Sequence, residues 1–141
     1  MNQLLKEQII AHRGLSGSCP ENTLIAFEAA KNVGIDWIET DISMLKDEEL
    51  IIFHDETLGR TVSGEKNISD CVWAELANAD AGIWKAEKYT GEKLLRLFDA
   101  LSWAEKNDVT LILEMKCHCL LYTSDAADDT PCVDLGGRRI I

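Results

Sequence analysis

The sequence lacks any apolar run near the roughly 18 residues that a bilayer-spanning helix needs, so no membrane span is expected. Its opening, Met1-Asn2-Gln3-Leu4-Leu5-Lys6-Glu7, has neither a basic start nor a long apolar stretch, so no secretory signal is expected either. Basic residues are scarce: 14 Lys and Arg stand against 25 Asp and Glu, a net charge of −11. That balance argues against nucleic acid, where Lys and Arg must displace counterions from phosphates. It leaves room for a phosphate-bearing small molecule, because a bound cation reverses the local sign. A disulfide framework is missing too. The five cysteines (Cys19, Cys71, Cys117, Cys119 and Cys132) are odd in number and irregularly spaced. Reduced thiols in a cytoplasmic protein are the simplest reading. What remains is 141 residues, 46% hydrophobic and 28% charged, which suits one globular domain or less.

Periodicity divides the chain into alternating elements. Gln8 to His12 reads as a short buried strand, followed by a loop, Arg13 to Asn22, that contains Gly14, Gly17 and Pro20. Thr23 to Lys31 carries apolar residues at helical spacing, with Gly34 just past its end. Strands are predicted at Trp37 to Met44, Leu50 to His54 and Thr110 to Glu114, and an amphipathic helix at Leu94 to Asn107. Between them, residues 55–93 read as a long excursion with short helical pieces such as Ser69 to Ala77. The order is an α/β pattern.

Only Leu45 to Glu49 separates the second and third strands. Parallel neighbours need a crossover of roughly a dozen residues, so these two should form an antiparallel hairpin. A turn centred on Asp47-Glu48 would set Leu45 opposite Leu50 and Asp41 opposite His54. Glu39, Asp41 and His54 would then share a face, and a one-residue slip would turn His54 away. Residues 119–141 hold no sustained period, and Pro131 and Gly136-Gly137 interrupt them. They look like translated read-through at the end of a truncated gene model, a non-native disordered tail without function. A genuine flexible tail is the alternative.

Three acids lie at strand ends, where α/β folds place ligands. Glu39 and Asp41 are two apart and project to one side, and Glu114 closes its strand. A single such acid is most simply a solvated strand end. Three of them beside two histidines point to one hard divalent cation, Mg²⁺ or Ca²⁺. His12 and His54 each end an apolar strand and are acid/base candidates, since imidazole titrates near neutrality. Arg13 could fork onto a phosphate oxygen, or it could bridge to Glu21 or a rim carboxylate. Lys116 could likewise contact phosphate or merely balance Glu114.

These residues resemble a known family. His12-Arg13-Gly14 followed by Pro20-Glu21-Asn22-Thr23 is similar to the HRG…PENT signature of glycerophosphodiester phosphodiesterases. Ala26-Phe27, Glu39-Thr40-Asp41 and Phe53-His54-Asp55 leading to Leu58-Gly59-Arg60-Thr61 continue the match. So do Asp80-Ala81-Gly82, Tyr89, Gly91-Glu92 and Leu113-Glu114-Met115-Lys116. The resemblance covers residues 8–116.

It implies the N-terminal half of a TIM-type (β/α) barrel of the phosphatidylinositol-phosphodiesterase-like kind, residues 1–118, with an insertion at about 55–93. It also implies hydrolysis of glycerophosphodiesters, such as glycerophosphocholine, to glycerol 3-phosphate and an alcohol. By motif position His12 and His54 become general acid and base, and Glu39, Asp41 and Glu114 become metal ligands. Arg13 and Lys116 become phosphate contacts, supported by Glu21 and Asn22. The chain departs from the family at Asp47-Glu48, where the turn usually carries Asp-Gly, and at Leu94-Leu95-Arg96-Leu97, which lacks the usual proline. A barrel takes about 250 residues, so this length supplies about half the strands. Two alternatives follow: an inactive truncated fragment, or a related phospholipase-type phosphodiesterase acting on lipid.

Overall fold

The computed structural model describes residues 9–116. The predicted start of the first strand at Gln8, the Met1 to Glu7 opening, the tail 119–141 and Cys117, Cys119 and Cys132 lie outside the described residues. Strand β1 (Ala11–His12) leads through a loop into helix α1 (Leu24–Asn32). Strand β2 (Trp37–Met44) follows, then β3 (Leu50–Ile52). Helix α2 (Trp73–Leu76) and two 3₁₀ turns (Ile68–Asp70, Glu87–Tyr89) occupy the excursion, before β4 (Leu95–Arg96), helix α3 (Leu97–Asn107) and β5 (Thr110–Met115).

The sheet is built around β2. Ile38 pairs with Ala11 of β1 on one side and with Leu111 of β5 on the other, both in parallel. Ile42 pairs with Ile52 of β3, antiparallel, and with Met115 of β5. So β1 and β3 share one flank of β2 and β5 takes the other. The three parallel strands are neighbours in chain order, each pair joined through a helix, the repeating unit of a (β/α) barrel. Six of the eight residues of β2 are buried, from Ile38 to Ser43, as expected of a central strand covered on both faces.

Helix α1 starts one residue past the predicted Thr23, which serves as its cap. Thr23 has an extended backbone, its hydroxyl accepts from the Ala26 N–H at 3.4 Å and donates to the Pro20 carbonyl at 2.7 Å. The helix buries Ala26, Phe27 and Ala30, and the Phe27 ring meets Trp103 of α3 at 5.8 Å between centroids. Full burial of a Phe contributes roughly 1.5–3 kcal/mol. The predicted Leu94 to Asn107 helix begins three residues later. Leu95 and Arg96 pair instead with Ile52 and Ile51 as β4, and the backbone turns helical only at Leu97.

The hairpin is antiparallel as expected, but its register differs by one residue. Met44 faces Leu50 and Ile42 faces Ile52, while the Phe53 N–H donates to the Asp41 carbonyl at 3.0 Å. Asp41 therefore faces Phe53, not His54. The cause is the loop. Leu45 N–H donates to Glu49 O at 2.9 Å and Glu48 N–H to Leu45 O at 3.0 Å, with Glu48 at φ 65°. A type I turn plus one left-handed residue makes a three-residue loop, whereas the predicted pairing requires four. Strand β3 also ends at Ile52, so His54 lies beyond it and pleat alternation no longer dictates where its ring points.

Adjacent residues of β3 serve different cores. Ile52 packs with Phe27, Ile38 and Leu95 between sheet and helices. Ile51 turns to the other face and packs with Leu45, Phe53, Val62, Ile68 and Leu76. Residues 55–93 thus form a cap that shares a second apolar core with the hairpin. On the far flank Met115 of β5 stays 66% exposed, and beside the hairpin loop Phe98 of α3 stays 71% exposed. No helix among the described residues is long and apolar enough to cross a membrane.

Candidate active site

The C-terminal ends of the parallel strands bring the expected residues together. His12 ends β1 and pairs directly with Glu39 of β2, and Asp41 pairs with Glu114 of β5. One ligand oxygen from each of Glu39, Asp41 and Glu114 falls within 4.8 Å of the others. The His12 Nε2 lies 3.7 Å from Glu39 Oε2.

The loop after β1 is shaped to serve this cluster. Arg13 takes φ 57° and Gly14 φ 79°, and the Arg13 N–H donates to the Glu39 carbonyl at 2.8 Å. A Cβ on Gly14 would meet Ala26 at 2.7 Å, so glycine alone lets the loop lie against α1. Asn22, at φ 59°, returns the chain by donating its N–H to the Arg13 carbonyl at 3.0 Å. Its side chain then joins the site to the sheet: Nδ2 donates to Asp41 Oδ2 at 2.9 Å, and Oδ1 accepts from the Thr40 hydroxyl at 2.8 Å.

The carboxylates differ in their partners. Asp41 is fully buried, yet it is surrounded by Lys116 Nζ at 2.7 Å, Arg13 Nε at 2.9 Å and Asn22. Burial alone would raise its pKa, but the hydrogen bonds from Lys116 and Asn22 and the Arg13 charge outweigh that and hold it low. Glu39 has less help: the Arg13 backbone N–H and charge act to lower it, and they are outweighed. It is buried, and among the described residues neither of its oxygens accepts a hydrogen bond. Burial, followed by the nearby Asp41 and Glu114 charges, pushes it up to about 7. A buried carboxylate left without donors calls for a partner, and a hard cation held by oxygen ligands fits this donor set.

Arg13 and Lys116 already hold protein partners. Arg13 also reaches Glu21 Oε1 at 3.1 Å, and Lys116 reaches Glu114 Oε1 at 2.7 Å. The bridging contacts anticipated as alternatives for these two cations are therefore present. His12 is pulled below the ordinary imidazole value by burial and then by the Arg13 charge, favouring the neutral ring. Two residues to which the sequence reading assigned no role also join the site. Asp55 Oδ1 lies 2.7 Å from His54 Nδ1, and Arg60 binds both Asp55 and Glu21. Their positions inside the Phe53-to-Thr61 motif block were the available signal.

The fold is similar to that of known proteins. A glycerophosphodiester phosphodiesterase of Caldanaerobacter subterraneus subsp. tengcongensis is 39% identical over 118 residues, covering 84% of this chain and 49% of that protein. A phosphodiesterase of Oleispira antarctica, solved in complex with sn-glycerol-3-phosphate as product, is 41% identical with a TM-score of 0.74. The match covers 77% of this chain and 44% of that one. A glycerophosphodiester phosphodiesterase structure from Agrobacterium tumefaciens is 33% identical with a TM-score of 0.73, over 76% of this chain and 46% of that one. The chain thus spans about half the length of the relatives it matches, and the sheet and helices described here are part of their TIM-barrel-like fold. The model of the glycerophosphoryl diester phosphodiesterase family matches residues 12–119, the stretch that carries His12, His54 and all three clustered acids, and the chain belongs to that family.

Proposed function

We propose that this site hydrolyses glycerophosphodiesters to glycerol 3-phosphate and an alcohol. The observation that carries the reading is Glu39: a buried carboxylate without hydrogen-bond donors, between two other acids and beside His12. Glu39, Asp41 and Glu114 would hold one divalent cation, Mg²⁺ or Ca²⁺. When bound, that ion supplies charge neutralisation for the phosphodiester and the oxygens around it.

The chain's own residues do the rest. His12, held neutral, and His54 form the acid/base pair. One imidazole takes the proton from the attacking hydroxyl and the other gives a proton to the leaving alkoxide, which balances the reaction. Arg13 and Lys116 present positive charge to the phosphate while remaining anchored on Asp41. Glu21 and Asn22 set the Arg13 guanidinium and the Asp41 carboxylate in place. The substrate is a small deacylated diester.

The test is release of glycerol 3-phosphate from glycerophosphocholine by the purified chain with Mg²⁺ or Ca²⁺. Chelator should abolish release, and His12→Ala or His54→Ala should each lower it by about 10²–10⁴-fold. Turnover that survives either substitution undiminished would remove that histidine from the mechanism.

A further inference from the structure

The histidine pair is not symmetric. Among the described residues His54 has a carboxylate on its Nδ1, with Asp55 Oδ1 at 2.7 Å. Asp55 is in turn gripped by Arg60, whose Nε donates to Oδ2 at 2.7 Å and whose second amino nitrogen donates to Oδ1 at 2.9 Å. The same guanidinium forks onto Glu21 at 2.6 and 2.9 Å and lies 5.8 Å from the Trp84 ring centroid. Glu21 continues to Arg13, and Arg13 to Asp41. Opposite charges therefore alternate from Asp41 through Arg13, Glu21, Arg60 and Asp55 to the His54 ring.

Among the described residues, Arg60 is the member of this charge series that joins the loop after β1 to the loop after β3. Neither loop is held there by sheet pairing, since β3 ends at Ile52. We infer that Arg60 is a positioning residue for His54: by clamping Asp55 against Glu21 it keeps Nδ1 as the donor toward Asp55 and leaves Nε2 to exchange a proton with the substrate. The inference deepens the proposed function and rests on it for the catalytic meaning of His54. Its physical basis is the protonation of Asp55. Burial would raise that carboxyl, but the hydrogen bonds from Arg60 and His54 outweigh burial and keep it below its ordinary value. An ionised carboxylate only accepts, so the ring nitrogen facing it must donate. A carboxylate partner on one ring nitrogen selects the tautomer of the whole imidazole.

Nitrogen-15 NMR of the ring nitrogens in the full chain reads this directly, without turnover. The chain has three histidines, so His54→Gln identifies the His54 signals. At about pH 8.5, two units above the ordinary imidazole value, the His54 Nδ1 should carry the proton. Arg60→Met should shift the population toward Nε2–H. Arg60 is exposed, with 44% of its side chain accessible, so this change leaves both cores intact. Asp55→Ala removes the acceptor itself and should give the same switch, which decides the matter if Arg60→Met fails to fold. Arg60→Lys should not restore the Nδ1–H form, because an ammonium cannot fork across both carboxylates. Wild-type His54 carrying its proton on Nε2, an unchanged pattern in Arg60→Met or Asp55→Ala, or restoration by lysine would each overturn the inference. An Nδ1–H ring in a chain that hydrolyses no glycerophosphodiester would instead fault the proposed function and leave the positioning intact.

Discussion

Glu39 shows how two carboxylates two positions apart on one strand acquire opposite characters. Asp41 faces Lys116, Arg13 and Asn22, whereas Glu39 faces acids and a histidine kept neutral. With its pKa raised from 4.5 to about 7, the folded protein holds a proton on Glu39 that the unfolded chain releases above pH 4.5. Folding stability therefore falls as pH rises through that window, by about 3 kcal/mol at about 1.4 kcal/mol per unit. In chelator, Glu39→Gln should be more stable than wild type above pH 7, and the advantage should shrink to nothing near pH 4.5. Urea unfolding of both proteins at several pH values checks this. A difference that stays flat with pH would mean that Glu39 is solvated. The pair Glu39 and Asp41 was legible from spacing, because period two puts both on one face. Their different ionisation was not, because it depends on Asn22, Arg13 and Lys116, which arrive from a loop and from another strand.

At the level of elements, β2 matches its expected bounds at both ends, while β3 ends two residues early and β4 stands where a helix was expected to begin. An eight-residue apolar strand has a strong periodic signal. A three-residue strand has almost none, and its register follows from the turn. Glu48 sits at φ 65°, where a side chain costs on the order of 1 kcal/mol that glycine does not incur. Glu48→Gly should therefore stabilise the chain by about 1 kcal/mol without altering cation binding, measured by denaturant midpoint and calorimetric titration. A loss of stability would show that the Glu48 side chain makes a compensating contact. The helix after β4 follows the same logic. With Leu94-Leu95-Arg96 lacking a proline, Leu95 and Arg96 are free to pair with β3, and α3 begins only at Leu97.

Across the whole molecule, one sheet places the carboxylates of β2 and β5 and the histidine at the end of β1 on a single rim, with a second histidine just past β3. A cation bound there links strands distant in sequence, so it should stabilise the fold by mass action. Mg²⁺ or Ca²⁺ at about a hundredfold above its dissociation constant should add about 2.7 kcal/mol, a rise in Tm on the order of 10 °C for a chain this size. Chelator should reverse it, and Glu39→Gln should reduce it. Thermal unfolding with and without the ion is the measurement, and an unchanged Tm would argue against the site. Residue type and period alone decided the α/β alternation, the antiparallel hairpin and the shared face of Glu39 and Asp41, because these are local properties of a chain that must bury its apolar face. Tertiary structure alone decided the hairpin register, the second core that residues 55–93 share with the hairpin, the isolation of Glu39 and the clamp of Arg60 on Asp55 and Glu21. Each of these depends on which loop is folded against which, and hydrogen bonds between loops leave no period in the sequence.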